Sequence, residues 1–149
     1  MAERSMSSIS LPKGYEFHHL GLATASIEKE QSQFAALGYY QDGEVFVDPI
    51  QGVTGCFLRG PGPYLELLEN IPGATTLTPW LNARIKIYHF AYRVADIEDA
   101  MRWARSQRAK VTVPPLPSVA FDQRLICFVL FRNGLMLEFI EKPVDCIQQ

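Results

Sequence analysis

The chain has 149 residues, of which 48% are hydrophobic and 20% charged, with a formal net charge of -2. This is ordinary composition for one globular domain, and it lacks the basic excess that a nucleic-acid-binding face needs. No apolar run approaches the roughly 20 residues of a bilayer span, so neither nucleic acid nor membrane is expected as a partner, and three scattered cysteines, Cys56, Cys127 and Cys146, fit a reduced, cytoplasmic setting.

In chain order, residues 1–14 have no continuous apolar stretch and read as a flexible tail rather than a signal peptide. Residues 15–142 read as a single domain and 143–149 as a C-terminal tail. The first half predicts a strand at about 15–23, a helix at about 26–37, and strands near 44–48, 53–58 and 63–69. A stretch with two prolines, 71–84, links module one (15–70) to module two (85–142). The second half predicts a strand at about 86–94, a helix at about 96–107, and strands near 110–113, 123–131 and 134–141. Gly38, Gly43, Gly52 and Pro114-Pro115 punctuate these strands, and Asn133-Gly134 between two apolar runs signals a hairpin.

The two halves echo each other. The segment from His19 to Lys29 recurs 70 positions later as His89 to Asp99, with four of eleven residues identical. Glu66-Leu67-Leu68-Glu69 recurs 72 positions later as Glu138-Phe139-Ile140-Glu141. In both halves the opening strand runs into a residue that caps helices, Ser26 or Asp96. Two echoes in the same order indicate an internal repeat. The expected fold is α+β: two βαβββ modules related by a pseudo-twofold axis, their curved mixed sheets forming an open, barrel-like cavity with the helices outside.

Side chains alternate along a strand. His19, Gly21 and Ala23 therefore share one face of the first strand, opposite Leu20 and Leu22. Glu66 opposes Leu65 and Leu67, His89 opposes Phe90 and Tyr92, and Glu138 opposes Leu137 and Phe139. A carboxylate in such a place must be paired, solvated in a cavity or bound to metal, because burying it bare is prohibitive. A pseudo-twofold axis brings His19, Glu66, His89 and Glu138 into one site, and a His₂Glu₂ donor set suits one divalent ion, Zn²⁺, Ni²⁺, Co²⁺, Mn²⁺ or Fe²⁺. His18, Glu69 and Glu141 fall on the opposite faces and are expected outside the site, His18 against the helix or solvent. Arg93 shares a face with His89 and is expected at the cavity mouth, where a guanidinium suits a carboxylate or phosphate; Arg124 is a second candidate substrate-binding residue.

The segments Phe17-His18-His19-Leu20-Gly21-Leu22-Ala23, Tyr64-Leu65-Glu66-Leu67-Leu68-Glu69, Tyr88-His89-Phe90-Ala91-Tyr92-Arg93-Val94 and Gly134-Leu135-Met136-Leu137-Glu138-Phe139 resemble the four ligand-bearing strands of the vicinal-oxygen-chelate (glyoxalase-like) superfamily. Within it the chain resembles methylmalonyl-CoA epimerase and lactoylglutathione lyase-like proteins in length and element order. The resemblance implies a metal-dependent isomerase, epimerase or lyase, acting through a metal-stabilised enolate on an acyl thioester or hemithioacetal, with Glu138 and Glu66 as proton-shuttling candidates. It implies a small-molecule substrate and a homodimer. Gln51-Gly52-Val53 is similar to an epimerase pattern in which a candidate catalytic acid precedes the glutamine; here that position is Ile50, with Asp48 two residues away. Two alternatives stay open. One is an Fe²⁺ extradiol-type dioxygenase using His19, His89 and Glu138. The other is a binding protein of the antibiotic-sequestering type, with Trp80, Trp103, Tyr39, Tyr40 and Phe121 as candidate pocket residues.

Overall fold

The computed structural model describes residues 11–143. The chain runs β1 (Glu16–Ala23), α1 (Ile27–Ala35), β2 (Tyr40–Asp48), β3 (Val53–Arg59), β4 (Leu65–Asn70), α2 (Thr78–Ala83), β5 (Ile87–Val94), α3 (Ile97–Ser106), β6 (Lys110–Ser118), β7 (Arg124–Leu130) and β8 (Met136–Glu141). All eight strands join one curled mixed sheet in the order β2-β3-β4-β1-β5-β8-β7-β6. When β1–β4 are exchanged for β5–β8 the order reads the same backwards, so an α+β half-barrel with twofold-related modules is formed, as the repeat implies. The modules meet where β1 runs antiparallel to β5, and each is completed by parallel pairing of its first and last strands, β1 with β4 and β5 with β8.

Strand alternation divides the core. Leu65 and Leu67 pack with Leu22, Ile27 and Cys56 beneath α1. Leu137 and Phe139 pack with Cys127, Val129 and the apolar stripe of α3. The intervening residues, among them Leu68, Ile126, Phe128 and Ile140, line the inner face. The helix starts follow the cap signals: Ser26 Oγ accepts from the Lys29 N–H at 3.3 Å, and Asp96 Oδ1 accepts from the Glu98 and Asp99 N–H groups at 2.9 and 3.3 Å.

Three elements differ from expectation, each for a physical reason. β2 begins at Tyr40 rather than near 44, because Gly43 (φ +81°) sits in a register shift between Asp42 and Phe46 and bends the strand without ending it. β6 continues to Ser118 through Pro114, Pro115 and Pro117. It is an edge strand, so a missing N–H there need not break a ladder. The connecting stretch contains α2, with Pro79 in its first turn, where an N–H is unneeded; Trp80 and Leu81 pack onto the inner core. No helix among the described residues is long and apolar enough to cross a membrane. Cys146 and most of the two expected tails, residues 1–10 and 144–149, lie outside the described residues.

Candidate metal centre

The four singled-out donors sit on the four central strands, His19 on β1, Glu66 on β4, His89 on β5 and Glu138 on β8. Register explains their convergence. Gly21 lies between Glu66 and His89, and Ala91 lies between His19 and Glu138. Each row therefore has two ligand side chains flanking a small one, and each module supplies one His and one Glu. The imidazole of His89 lies over Gly21, where a Cβ would overlap it.

All four side chains are buried, His19 at 0% exposure. His19 Nε2 lies 3.1 Å from His89 Nε2. Glu66 Oε1 is 3.3 Å from His19 Nε2 and 3.4 Å from His89 Nε2, while Glu138 Oε1 is 3.4 and 3.3 Å from them. One donor atom from each residue lies within 4.8 Å of all the others. Ligands roughly 2.0–2.2 Å from a common cation stand about 3 Å apart as neighbours. Glu138 Oε1, despite its proximity to both imidazoles, is aligned with no hydrogen-bond donor. A buried, unsatisfied carboxylate oxygen within a His₂Glu₂ cluster fits a cation site.

Electrostatics lead the same way. Burial alone would lower the pKa of His89, but the Glu138 and Glu66 carboxylates outweigh it and raise the group to about 9. His19 is raised against the same burial by the same two carboxylates. Burial would raise Glu66, yet His19 and His89 pull it down to about 2, and Glu138 is likewise lowered. A divalent cation between neutral imidazoles would balance the two carboxylates charge for charge.

His18 corrects an expectation. It is the extra residue of a bulge in β1, because Phe17 pairs with Tyr92 and His19 with Ala91. The bulge puts the two rings on one side of the strand, His18 Nδ1 2.8 Å from His19 Nδ1. Burial, with His19 and Arg93 adding to it, lowers His18 to about 4. A neutral His18 can accept the His19 Nδ1–H, which would leave His19 Nε2 free for a metal, the orienting contact that ligand histidines ordinarily have. His89 Nδ1 has no such partner among the described residues.

Glu69 and Glu141 stay outside the site, as expected, and have a matched task. Glu69 Oε2 accepts from the Ile27 N–H at 3.0 Å, and Glu141 Oε2 from the Ile97 N–H at 3.1 Å, so each tethers the start of its module's helix. Phe57 and Phe128 wall the centre edge-on, at 5.4 Å from His19 and 5.2 Å from His89, and Phe121 stacks on His19. Sequence reading missed Phe57 and Phe128. Their signal was a third echo, Cys56-Phe57 and Cys127-Phe128, separated by 71 positions.

Other candidates are dispersed. Arg93 and Arg124 line a depression of about 260 Å³ with His18 and Phe121, beside the donor cluster and separate from it. Of the aromatic candidates only Phe121 touches a donor ring; Trp80 packs on Tyr88, Trp103 on Tyr15 and Tyr39 on Phe34, and Tyr40 is exposed. Ile50 is 67% exposed in the turn after β2. Asp48 is buried beside the centre, but its carboxylate accepts the Ile50 and Gln51 N–H groups and the Gln51 side-chain amide. The space between these residues and Glu66, His89 and Glu138 is about 10 Å³, room for roughly one water molecule.

A family model described as the glyoxalase/bleomycin resistance protein/dioxygenase superfamily matches residues 18–128. Among solved structures, a hypothetical protein from Bacillus halodurans C-125 is similar at 24% identity and TM-score 0.75, over 88% of this chain and 96% of that one. Methylmalonyl-CoA epimerase from Mycobacterium tuberculosis is similar at 20% identity and TM-score 0.74, over 96% and 99%. A methylmalonyl-CoA epimerase in complex with methylmalonyl-CoA and NH4+ is similar at 20% identity and TM-score 0.72, over 89% and 97%. No curated protein matches the sequence. With the family model spanning most of the paired strands and the epimerase fold reproduced end to end, the chain belongs to the glyoxalase/bleomycin resistance protein/dioxygenase superfamily.

Proposed function

We propose that this chain is a divalent-metal-dependent isomerase, epimerase or lyase that generates an enolate next to the carbonyl of an acyl thioester or hemithioacetal. The observation that carries the reading is the convergence of four buried donors, His19, Glu66, His89 and Glu138, with imidazole-to-carboxylate separations of 3.3–3.4 Å. A divalent ion held there would supply Lewis-acid charge to a substrate oxygen. His19, oriented by His18, and His89 would hold it as neutral donors. Phe57, Phe121 and Phe128 keep bulk water from the reacting atoms.

Glu66 and Glu138 are the proton-transfer candidates. Facing the imidazoles, both are held low. The one that acts must turn away from the cluster, where burial raises its pKa toward the working range of a general base. Asp48 is a poorer candidate, because its carboxylate is occupied by three hydrogen bonds within its own turn. With about 10 Å³ beside the donors, an acyl group needs the residues lining that space to move apart. The thioester class is supported by the structural likeness to epimerases bound to methylmalonyl-CoA and to 2-nitronate-propionyl-CoA.

The test is solvent exchange. Metal-loaded protein incubated in D2O with a panel of acyl-CoA thioesters and hemithioacetals is expected to introduce deuterium at the carbon next to the carbonyl. Glu138→Gln or Glu66→Gln is expected to slow this by roughly a hundredfold or more, the usual weight of an acid–base group. A panel without exchange contradicts the proposal.

A further inference from the structure

The depression beside the metal centre contains two half-buried guanidinium groups, Arg93 and Arg124, together with His18, Phe121, Asp122 and Glu141. Arginine side chains in such places ordinarily find a carboxylate. Among the described residues the Lys and Arg ion pairs are Arg59–Asp42, Lys86–Glu30, Arg102–Asp99 and Lys142–Glu16. Neither Arg93 nor Arg124 has one. The nearby acids are engaged elsewhere or stand off: Glu16, the register partner of Arg93, pairs with Lys142; Glu141 holds the start of α3; and Asp122 lies more than 4 Å from both guanidinium groups.

Register ties this depression to the metal centre. Arg93 is four residues beyond His89 on β5 and is paired with Ile140, two residues beyond Glu138 on β8. Ile126, two residues beyond Arg124 on β7, pairs with Ile140 as well. Both arginines therefore continue the inner face that carries the donors, roughly 13 Å of strand from His89 at about 3.3 Å per residue. The partition between the two places is His18 and Phe121, which both contact His19.

We infer that Arg93 and Arg124 form an anion subsite that anchors a carboxylate- or phosphate-bearing tail of the substrate, while the oxygen-bearing end reaches the His₂Glu₂ centre past Phe121. The substrate is then bifunctional, with its anionic group separated from its reactive carbonyl by a spacer on the order of 10 Å. That the anion is the substrate's own tail rests on the metal-enzyme reading; the capacity of the depression to bind an anion does not.

The test titrates inorganic phosphate and, separately, acetate into the full-length protein at constant ionic strength, following by NMR the backbone amide resonances of Phe121 and Asp122, which line the depression and are present in every variant. Metal content is measured on every sample. Saturable binding is expected, weakened at least tenfold in Arg93→Gln/Arg124→Gln with unchanged metal content, and partly retained in Arg93→Lys, which keeps the charge and loses the fork. The tighter of the two probes names the tail. Should the double variant unfold, the single Arg93→Lys and Arg124→Lys variants decide by the same comparison. Equal response in parent and variants overturns the subsite. Loss of anion binding in the arginine variants of a protein that holds no metal would leave the subsite standing while removing the metal-enzyme reading.

Discussion

At Gly21 a Cβ would overlap the ring of His89, which is itself buried and walled by Phe128. Gly21→Ala therefore has no cheap relaxation. It should cost about 1–3 kcal/mol, the usual range for overpacking, and displace a ligand; thermal unfolding and metal content measured together check it, and a variant that keeps both would show that the ring has room. Protons give a second residue-scale test. With metal stripped, His89 titrates at about 9 in the fold, raised from 6.5. Its contribution to stability is then complete below pH 6.5 and lost as pH rises through 9. Metal requires the neutral rings, so loading reverses the dependence. The Tm of stripped protein should fall between pH 6.5 and 9.5 while that of loaded protein does not; parallel curves would contradict the cluster. The four donors were legible because each is a polar residue placed mid-strand against apolar neighbours. His18 was not, because strict alternation places it opposite His19 and the bulge that brings the two rings together has no sequence mark.

The elements depend on small local contacts that the repeat duplicates. Glu69 and Glu141 each stand three residues beyond a candidate metal donor yet serve a helix N-terminus. Glu141→Gln should lower stability by about 1 kcal/mol, the ordinary weight of a cap, without changing metal content, whereas Glu138→Ala should remove metal. Chemical denaturation beside metal analysis distinguishes them, and metal loss in Glu141→Gln would mean the two carboxylates are not separable. The helices and central strands were readable from periodicity and caps, since burial on one face imposes the pattern. The outer strands were not. Gly43 and the prolines of β6 are breakers in a central strand, but a bulge and an open edge tolerate them, and edge position is a property of the finished sheet. The helix inside 71–84 is short, and its Trp80 and Leu81 are fixed by packing on the inner core, which local sequence does not encode.

At the scale of the whole molecule, the donors come two from each module, across the β1–β5 seam. The proposed function requires that this seam close on a metal ion. The most direct test is the metal content of tag-free protein by mass spectrometry, beside His19→Ala and Glu138→Ala. About one transition-metal ion per chain is expected, lost in both variants, since each leaves a buried charge or donor uncompensated. Protein that holds no metal, even after reconstitution with Zn²⁺, Ni²⁺, Co²⁺, Mn²⁺ and Fe²⁺, would contradict it and leave the four residues as a buried ion-pair cluster joining the two modules.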